Sequence, residues 1–493
     1  MGNYQGKIMR TNPHILEINT RAWLKCFEEK EGRSLTLATI PAWYWERVKK
    51  AGFDAVWLMG VWQTSPMAET IARESENILN QIRAIKPDFK TEDITASPYA
   101  IYDYVVDARL GGNEALSSLH AQLNSMGISL LLDFVGNHMA IDSPTVTSNP
   151  DLYITTGTQA PQNHKDWFFQ NANGVYVAHG RDPYFAPWTD TAQLNYFNPK
   201  TREFMLSNLE KVAALCDGVR CDMAMLSLNR VQRDTWWEFI GGELPKEEFW
   251  KQALGRIRAT HPEFIFIAEV YWGLEWDIQE MGFDYTYDKV LYDRLRFSNA
   301  ENIRGHLMAE HLFQMRSIRF TSNHDEEDSL KAFGKEKSLA AATIISTLPG
   351  ARLYYLFQVW GRPARLPIQY LRNDFPRNEE VENFYWKLFE ITSHPAFHGG
   401  QWSLVNVSSV GMDDNSHRNI LAWQWKQMNT VKLVLINYSD THAKGRLCFK
   451  GAQGDTLCEE LTGTSIPVTP EMKSGEWEIE IKPYESLIFT YSI

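Results

Sequence analysis

The chain of 493 residues has little cysteine, no long hydrophobic run and no excess of positive charge. Its five scattered cysteines include no CxxC pair, which excludes a disulfide framework and a zinc motif and favours free thiols in the cytoplasm. The most apolar stretch, 340–357, is broken by serine, proline and glycine, so a membrane span is excluded. Residues 1–14 lack an apolar segment, and no signal peptide is therefore predicted.

The charge balance limits the partners. Lys and Arg total 49 against 61 Asp and Glu, which gives a net charge of −12 at pH 7. An acidic chain gains no general attraction to nucleic-acid phosphates or to anionic lipids, so we expect neither as a partner. The composition is that of a folded globular protein, and it leaves the oligomeric state unknown.

Eight short apolar runs mark the first four-fifths of the chain. Such continuous runs are typical of strands that are buried on both faces of a parallel sheet. Helical patterns separate them, and one places Leu116, Leu119 and Leu123 on a single face, with Asn113 as the predicted cap. The predicted strands are 14–18, 53–59, 128–135, 218–223, 264–270, 282–287, 317–322 and 351–357.

This alternation predicts an α/β fold, a (β/α)8 TIM barrel. The alternative is a doubly wound open sheet, which needs a glycine-rich loop after its first strand, whereas NTRAWLKC there has no glycine. We assign 1–138 and 197–394 to the barrel. A short, loop-rich domain B is predicted at 139–196, inserted after the third strand. The alternating pattern of 395–493 predicts a C-terminal antiparallel β-sandwich.

Charged groups follow several of the buried strands. Asp222, Glu269 and Asp325 stand at or just after strand ends, where side chains of a barrel face the mouth of the active site. Burial of a carboxylate is costly unless it is paired or functional, so we expect the three to share one pocket. Asp133 lies further down its strand, and we expect it to anchor neighbouring strand ends. The polar neighbours of the pocket are His138, Arg220 and His324.

Two chemistries suit three carboxylates with arginine and histidine: glycosyl transfer and metal binding. The metal interpretation is weaker, since HLMAEH (306–311) is not HExxH. HDEED (324–328) also lacks the spacing and the glycine of a calcium loop. Glycosyl chemistry is therefore favoured, and metal binding stays open at this point.

Four segments resemble the signature regions of the α-amylase family, glycoside hydrolase family 13. They are DFVGNH (133–138), GVRCDMA (218–224), FIAEVYW (266–272) and SNHDE (322–326), and they occur in the order of the family. The resemblance covers nearly the whole chain. It implies a retaining hydrolase of α-linked glucosides or α-glucans, which forms a covalent glycosyl-aspartate.

The resemblance also implies a role for each matching residue. Asp222 is the implied nucleophile, Glu269 the acid and base, and Asp325 the residue that stabilises the transition state. The implied substrate-binding residues are Tyr99 as a stacking platform, Arg220 to orient the nucleophile, and His138 and His324 for sugar hydroxyls. No cofactor or metal is expected. Asn137 matches a position that ligates calcium in some members, but a packing role is favoured here.

The pattern departs from the family in two places. Met225 and Leu226 stand where starch-cleaving members often carry a Lys-His pair. Residues 95–98, just before Tyr99, lack the Asp that is common in exo-acting glucosidases. Three alternatives with the same covalent intermediate therefore stay open: a transglycosylase, a phosphorylase and an isomerase. A non-catalytic carbohydrate-binding barrel is the alternative outside enzymes.

Overall fold

The computed structural model describes residues 9–449 and 451–493. Residues 1–8, predicted to belong to the barrel and not to a signal peptide, lie outside the described residues, as does Lys450 of the predicted sandwich.

Eight parallel strands form a closed barrel, which confirms the predicted fold class and rules out an open sheet. The first strand pairs with the second on one side and with the eighth on the other, where His14 lies opposite Arg352. The strands are β1 His14–Asn19, β2 Ala55–Met59, β3 Ser129–Val135, β4 Gly218–Asp222, β5 Ile265–Ala268, β6 Tyr285–Tyr287, β7 Ser317–Arg319 and β8 Ala351–Tyr355.

Both faces of the barrel strands are buried, which explains their continuous apolar runs. Alternate side chains such as Ile15 and Leu131 join one cluster inside the barrel. Their neighbours Leu16 and Leu130 join the cluster that includes the surrounding helices. Because side chains alternate along a strand, Glu17, two residues after Ile15, also points to the interior. Polar residues at the same alternate positions as these inward-pointing residues therefore also face the interior, and those near the strand ends lie at the mouth of the barrel.

Helices cover the outside of the barrel. Asn113 is not the predicted cap: it lies in the first turn of its helix and accepts a hydrogen bond from the Val106 N–H at 2.9 Å, whereas Gly111 precedes the helix at φ 99°. The helices of the barrel region are Thr20–Glu31, Ala42–Lys50, Pro66–Glu74, Glu76–Ile85, Gly112–Ser125, Pro199–Ala213, Asn229–Trp236, Phe249–Thr260, Glu275–Glu280, Lys289–Phe297, Ala300–His306, His311–Met315, Ser329–Phe333, Lys335–Thr347, Leu356–Val359, Glu379–Thr392 and Ala396–Gly399.

Two long connections stand at the carboxyl ends of the strands. After β2, Trp62–Thr64 pairs with Ile101–Val106 in an antiparallel ribbon that the sequence did not predict. The connection after β3 contains the helix Pro144–Ser148 and two small sheets. Their strands are His138–Ala140 with Thr191–Gln193, and Thr155–Gly157, Tyr176–Ala178 and Phe168–Gln170 in that order.

The C-terminal region forms two antiparallel sheets, which confirms the predicted sandwich. Ile420 and Ala422 face the apolar core of the sandwich, while Leu421, Trp423 and Trp425 belong to the cluster of the barrel and its helices. One sheet contains, in order, Gln401–Leu404, Ile420–Gln427, Thr430–Asn437, Ser486–Ser492, Gln453–Glu459 and Thr464–Pro467; the other contains Asn406–Ser408, Ala443–Cys448 and Glu476–Ile481, and a helix spans Pro470–Ser474.

None of the helices in the described part of the chain has the length and hydrophobicity that a membrane crossing requires.

Candidate active site

The three predicted carboxylates lie near one another at the carboxyl ends of the barrel strands, since the charges of Glu269 and Asp325 both act on Asp222. Asp222 is the last residue of β4, Glu269 directly follows β5, and Asp325 lies in the loop after β7. Two buried cations contact them: Arg220 contacts Asp222 and Glu269, and His324 contacts Asp325.

Arg220 holds two of the carboxylates at once. Its Nη1 donates to Asp222 Oδ1 and its Nη2 to Glu269 Oε2, each at 2.7 Å. The guanidinium is 1% exposed, and the rings of Trp57 and Tyr99 each have their centroid 5.3 Å from it. A planar fork so enclosed fixes the relative positions of both carboxylates.

Burial raises the pKa of Asp222 above its ordinary value, Arg220 opposes that shift, and the negative charge of Glu269 adds to it. The guanidinium therefore favours the ionised form of Asp222 that a nucleophile needs.

The backbone after β4 also positions Glu269. Met223 adopts φ 40°, a left-handed conformation that is uncommon for a residue with a side chain. In this turn its N–H donates to Glu269 Oε2 at 2.8 Å, while the hydroxyl of Tyr271 donates to Oε1 at 2.6 Å. Both oxygens of Glu269 are thus held by donors from the protein.

His324 connects Asp325 to the start of the barrel. Its Nε2 lies 2.9 Å from Asp325 Oδ2, and its Nδ1 lies 2.6 Å from Glu17 Oε1. Burial lowers the pKa of His324, but the carboxylates of Asp325 and Glu17 outweigh burial and raise it to about 10. Burial in turn raises the pKa of Asp325, but the neighbouring imidazolium brings it well below its usual range. At neutral pH the pair is therefore an imidazolium beside a carboxylate.

Tyr99 and His138 complete the predicted set. The half-buried ring of Tyr99 stacks on His324 with centroids 5.2 Å apart, and its hydroxyl lies 2.6 Å from His324 Nε2. His138 is buried beside Trp188, with ring centroids 5.3 Å apart. Burial lowers the pKa of His138 to about 4, so its ring is neutral at neutral pH and offers one donor and one acceptor.

Asp133 has the anchoring contacts that the sequence predicts. Its Oδ2 accepts the N–H of Gly60 at 3.1 Å, next to the end of β2, and its Oδ1 lies 3.7 Å from Arg220. Burial raises the pKa of Asp133 to about 6, against the opposing effect of Arg220. Asp133 thus contacts both the backbone after β2 and Arg220, the residue that binds Asp222 and Glu269.

Several residues of the site were not predicted from the sequence. Glu17 showed the same signal as the others, a carboxylate inside a buried strand. Tyr271 lies two residues after Glu269, but nothing in the sequence indicates that its hydroxyl turns back to that carboxylate. Trp57 and Tyr287, which flank Arg220, resemble ordinary core aromatics in the sequence.

The structure shows the surroundings of one departure from the family pattern and of Asn137. Met225 and Leu226 are 0% and 3% exposed in a short helical turn, so they pack inside the protein. Asn137 forms a reciprocal pair with Gln193, since each side-chain amide donates to the carbonyl oxygen of the other, at 3.2 and 2.9 Å.

The chain is similar to known proteins in sequence and in structure. The protein-family model of the alpha amylase catalytic domain matches residues 45–362 of this chain. Alpha-amylase 3 of Dictyoglomus thermophilum is 24% identical over 315 residues, 58% of each chain. Alpha-amylase MalA of Haloarcula japonica is 25% identical over 324 residues, 63% of this chain and 43% of MalA. The chain therefore matches less than two-thirds of the length of these relatives.

Solved structures share the fold over almost the whole chain. A noncanonic maltogenic alpha-amylase, AmyB from Thermotoga neapolitana, has a TM-score of 0.69 at 21% sequence identity. The match covers 98% of this chain and 99% of the AmyB chain. An alpha-amylase from Geobacillus thermoleovorans, complexed with acarbose, has a TM-score of 0.68 at 15% identity, with coverage of 99% and 100%.

Proposed function

Because the chain belongs to the α-amylase family, we propose that it is a retaining hydrolase of α-linked glucans or short α-glucosides. The observation that carries the proposal is the double hold of Arg220 on Asp222 and Glu269. Retaining glycosidases need two carboxyl groups close together, about 5–5.5 Å apart, and a shared guanidinium keeps two carboxylates near each other.

In the first step, which requires Glu269 in its protonated form, the ionised Asp222 attacks the anomeric carbon and Glu269 gives its proton to the departing glycosidic oxygen. This forms an ester between Asp222 and the sugar and releases the leaving chain. In the second step Glu269 takes a proton from water, which attacks the same carbon and frees Asp222. Two inversions give net retention of the α configuration.

The other residues bind the sugar at the cleavage point. Asp325, kept ionised by His324, would stabilise the positive charge that develops on the sugar ring. Tyr99 would lie against the sugar face, and His138 would exchange hydrogen bonds with its hydroxyls. No step needs a cofactor or a metal, since side chains carry every charge and proton.

Water is the proposed acceptor because the relatives carry the names of amylases. A transglycosylase, a phosphorylase or an isomerase would form the same ester and differ only in the group that intercepts it. We also propose a cytoplasmic location, in keeping with five free thiols.

Proton NMR of the purified protein with maltooligosaccharides, isomaltose, trehalose, sucrose and starch would test the proposal, with and without phosphate. We expect the α-anomer of the product to appear before mutarotation. Longer oligomers, a sugar phosphate or a rearranged disaccharide would identify one of the alternatives. No turnover across the panel would contradict the proposed function.

Asp222→Asn should lower kcat/KM by at least about 10³-fold without loss of fold, because an amide cannot form the ester. Asp151→Asn is the control, since the Asp151 side chain is 74% exposed and should leave activity unchanged. Circular dichroism and thermal melting would check the fold of both variants. Unchanged activity in Asp222→Asn would refute the assignment of the nucleophile.

A further inference from the structure

A cavity lies on the outer side of the barrel. It has a volume of about 440 Å³ and lies between three helices, Thr20–Glu31, Ala42–Lys50 and Glu379–Thr392, and the segment 373–377. This volume is in the range of pockets that bind small organic molecules. The residues that line the cavity are different from those assigned to the candidate active site.

Aromatic side chains from all three helices line this cavity. Trp43 is 48% exposed, whereas Tyr44 and Phe389 are buried, so the rings continue from the protein surface into the interior. Flat rings pack well against a flat apolar ligand, either stacked or edge to face. The lining rings include Trp43, Tyr44, Phe53, Trp360, Trp386 and Phe389.

Two arginines bring positive charge to the cavity. The guanidinium of Arg47 lies over Trp386, 4.1 Å from the ring centroid, and that of Arg377 lies over Trp360 at 3.9 Å. Both donate to the same oxygen, Oε1 of Glu382, at 3.0 and 3.3 Å. Two cations that share one carboxylate leave a net positive charge. Within the described residues each guanidinium has this single hydrogen bond, so most of its five donors remain for an anion.

The other polar groups of the cavity leave this positive charge in place. Asp374 lines the cavity but forms an ion pair with Lys86. Glu29 and Lys30 are exposed neighbours of opposite charge. Asn373 is buried, and in the part of the chain that the structure describes its Oδ1 accepts no hydrogen bond. The cavity therefore suits an anion that also has an N–H or O–H group to donate.

We propose that this cavity binds a planar aromatic anion, such as an aromatic carboxylate with an N–H or O–H group. The aromatic side chains bind the flat apolar part, Arg47 and Arg377 bind the anionic group, and Asn373 accepts the hydrogen bond. A sugar is a poorer ligand here, since most of the wall is apolar rings and few groups can pair with its hydroxyls. The site is independent of the proposed function, because no catalytic residue takes part in it.

The test uses two fluorescent probes of similar shape. They are 8-anilino-1-naphthalenesulfonate, an aromatic anion with an N–H group, and the neutral N-phenyl-1-naphthylamine. Titration of the folded protein should show one bound sulfonate per chain. Arg377→Gln should raise the dissociation constant of the sulfonate by about tenfold, because a charge-assisted contact is lost, and change that of the neutral probe by less than about twofold. Trp43→Ala should weaken the binding of both probes.

The controls are two exposed residues outside the cavity. Arg418→Gln removes an arginine whose side chain is 58% exposed, and Phe297→Ala removes an exposed aromatic ring. Neither variant should change the binding of either probe. Circular dichroism and thermal melting would check the fold of every variant. If Arg377→Gln fails to fold, Arg47→Gln removes the other positive charge of the same site, from the helix Ala42–Lys50.

Competition with a sugar separates this proposal from the proposed function. Maltohexaose added to the Asp222→Asn protein should displace neither probe, and displacement would overturn the proposal. Sulfonate binding that survives both Arg377→Gln and Trp43→Ala, or equal losses for both probes in Arg377→Gln, would overturn it as well. So would a lack of bound sulfonate, including the case in which ultracentrifugation shows that a second copy of the chain covers the cavity. Binding that depends on Trp43 and Arg377 in a protein without turnover would support the site and refute only the hydrolase.

Discussion

At the scale of single residues, Glu17 is the feature with the widest effect on the charge of the site. It is 0% exposed, and it accepts from the backbone N–H of His324 at 3.1 Å as well as contacting Nδ1. The imidazolium lies between two carboxylates, so each of them controls its charge. Glu17 acts through His324 and is a positioning residue.

Glu17→Gln should lower the pKa of His324 from about 10 by about one unit or more. The pKa of His324 in the folded protein is higher than its ordinary value of 6.5. The protonated ring therefore stabilises the fold fully below pH 6.5, and this contribution is lost as the pH rises through about 10. The variant should therefore be less stable at neutral pH, and its activity should fall at a lower pH on the basic side. Urea unfolding between pH 6 and 10 and the pH profile of kcat/KM would measure both effects. Glu301→Gln, at a side chain that is 52% exposed, should reproduce neither, and an unmoved basic limb in Glu17→Gln would contradict the coupling.

The sequence predicts the principal site residues because charged groups in or after buried strands are rare and costly. Asp222, Glu269 and Asp325 were recognisable in this way and lie near one another. The contact between Glu17 and His324 was not predictable, because it joins residues 307 positions apart. Tyr271 escaped for a different reason, since a tyrosine after a strand is common and only its rotamer directs the hydroxyl to Glu269.

At the scale of elements, β4 carries both Arg220 and Asp222 and starts at a glycine that leaves no room for a side chain. A Cβ at Gly218 would lie 2.6 Å from the carbonyl oxygen of Ile265 and 2.8 Å from a methyl group of Leu131. The close approach of β4 to its two neighbours therefore depends on this glycine.

Gly218→Ala should lower the free energy of unfolding by about 1–3 kcal/mol, because the added methyl group must displace packed strands. Gly255→Ala is a matched control in the helix Phe249–Thr260, where no atom lies within 4 Å of the added Cβ apart from the adjacent residues and the backbone of the helix itself. Since alanine is more stable than glycine inside a helix, the free energy of unfolding of the control should rise by about 0.5–1 kcal/mol. Chemical denaturation of both variants would test this, and a Gly218→Ala protein as stable as the parent would contradict the crowding.

The elements also show which patterns can be interpreted from sequence. All eight barrel strands were located, because burial on both faces leaves a long apolar run. The ends of four of them, β4, β5, β7 and β8, were placed too far along the chain. For example, the run at 264–270 predicts a strand to Val270, whereas β5 ends at Ala268 because the backbone leaves the sheet at Glu269. Strands Gln453–Glu459 and Thr464–Pro467 were missed, since their residues are mostly exposed and show no apolar run.

At the scale of the whole molecule, the sandwich packs on the barrel through a shared apolar cluster and through hydrogen bonds. Trp425 is buried, and its Nε1 donates to the carbonyl of Thr347 at 2.6 Å. The hydroxyl of Tyr438 donates to the carbonyl of Leu295 at 2.7 Å. Such an interface resembles the interior of one domain, so we expect barrel and sandwich to unfold together.

Trp425→Ala should cost about 3–5 kcal/mol and separate the single calorimetric transition into two. The physical reason is the loss of a buried indole from the cluster that both regions share. Trp477→Ala is the control, since its ring packs within the sandwich against Phe489, with centroids 5.0 Å apart. That variant should lower the stability less and keep one transition. Two transitions in the parent protein would contradict the expectation.

The bond between Glu17 and His324 has a consequence for protein synthesis. A ribosome makes β1 long before the segment that contains His324, so the carboxylate of Glu17 lacks its imidazolium partner until the two ends of the barrel sequence meet. A nascent chain that buried Glu17 before His324 was made would leave the carboxylate unpaired, which disfavours early closure around it. Catalytic activity would therefore appear late and abruptly during translation, when the eight strands close into the barrel.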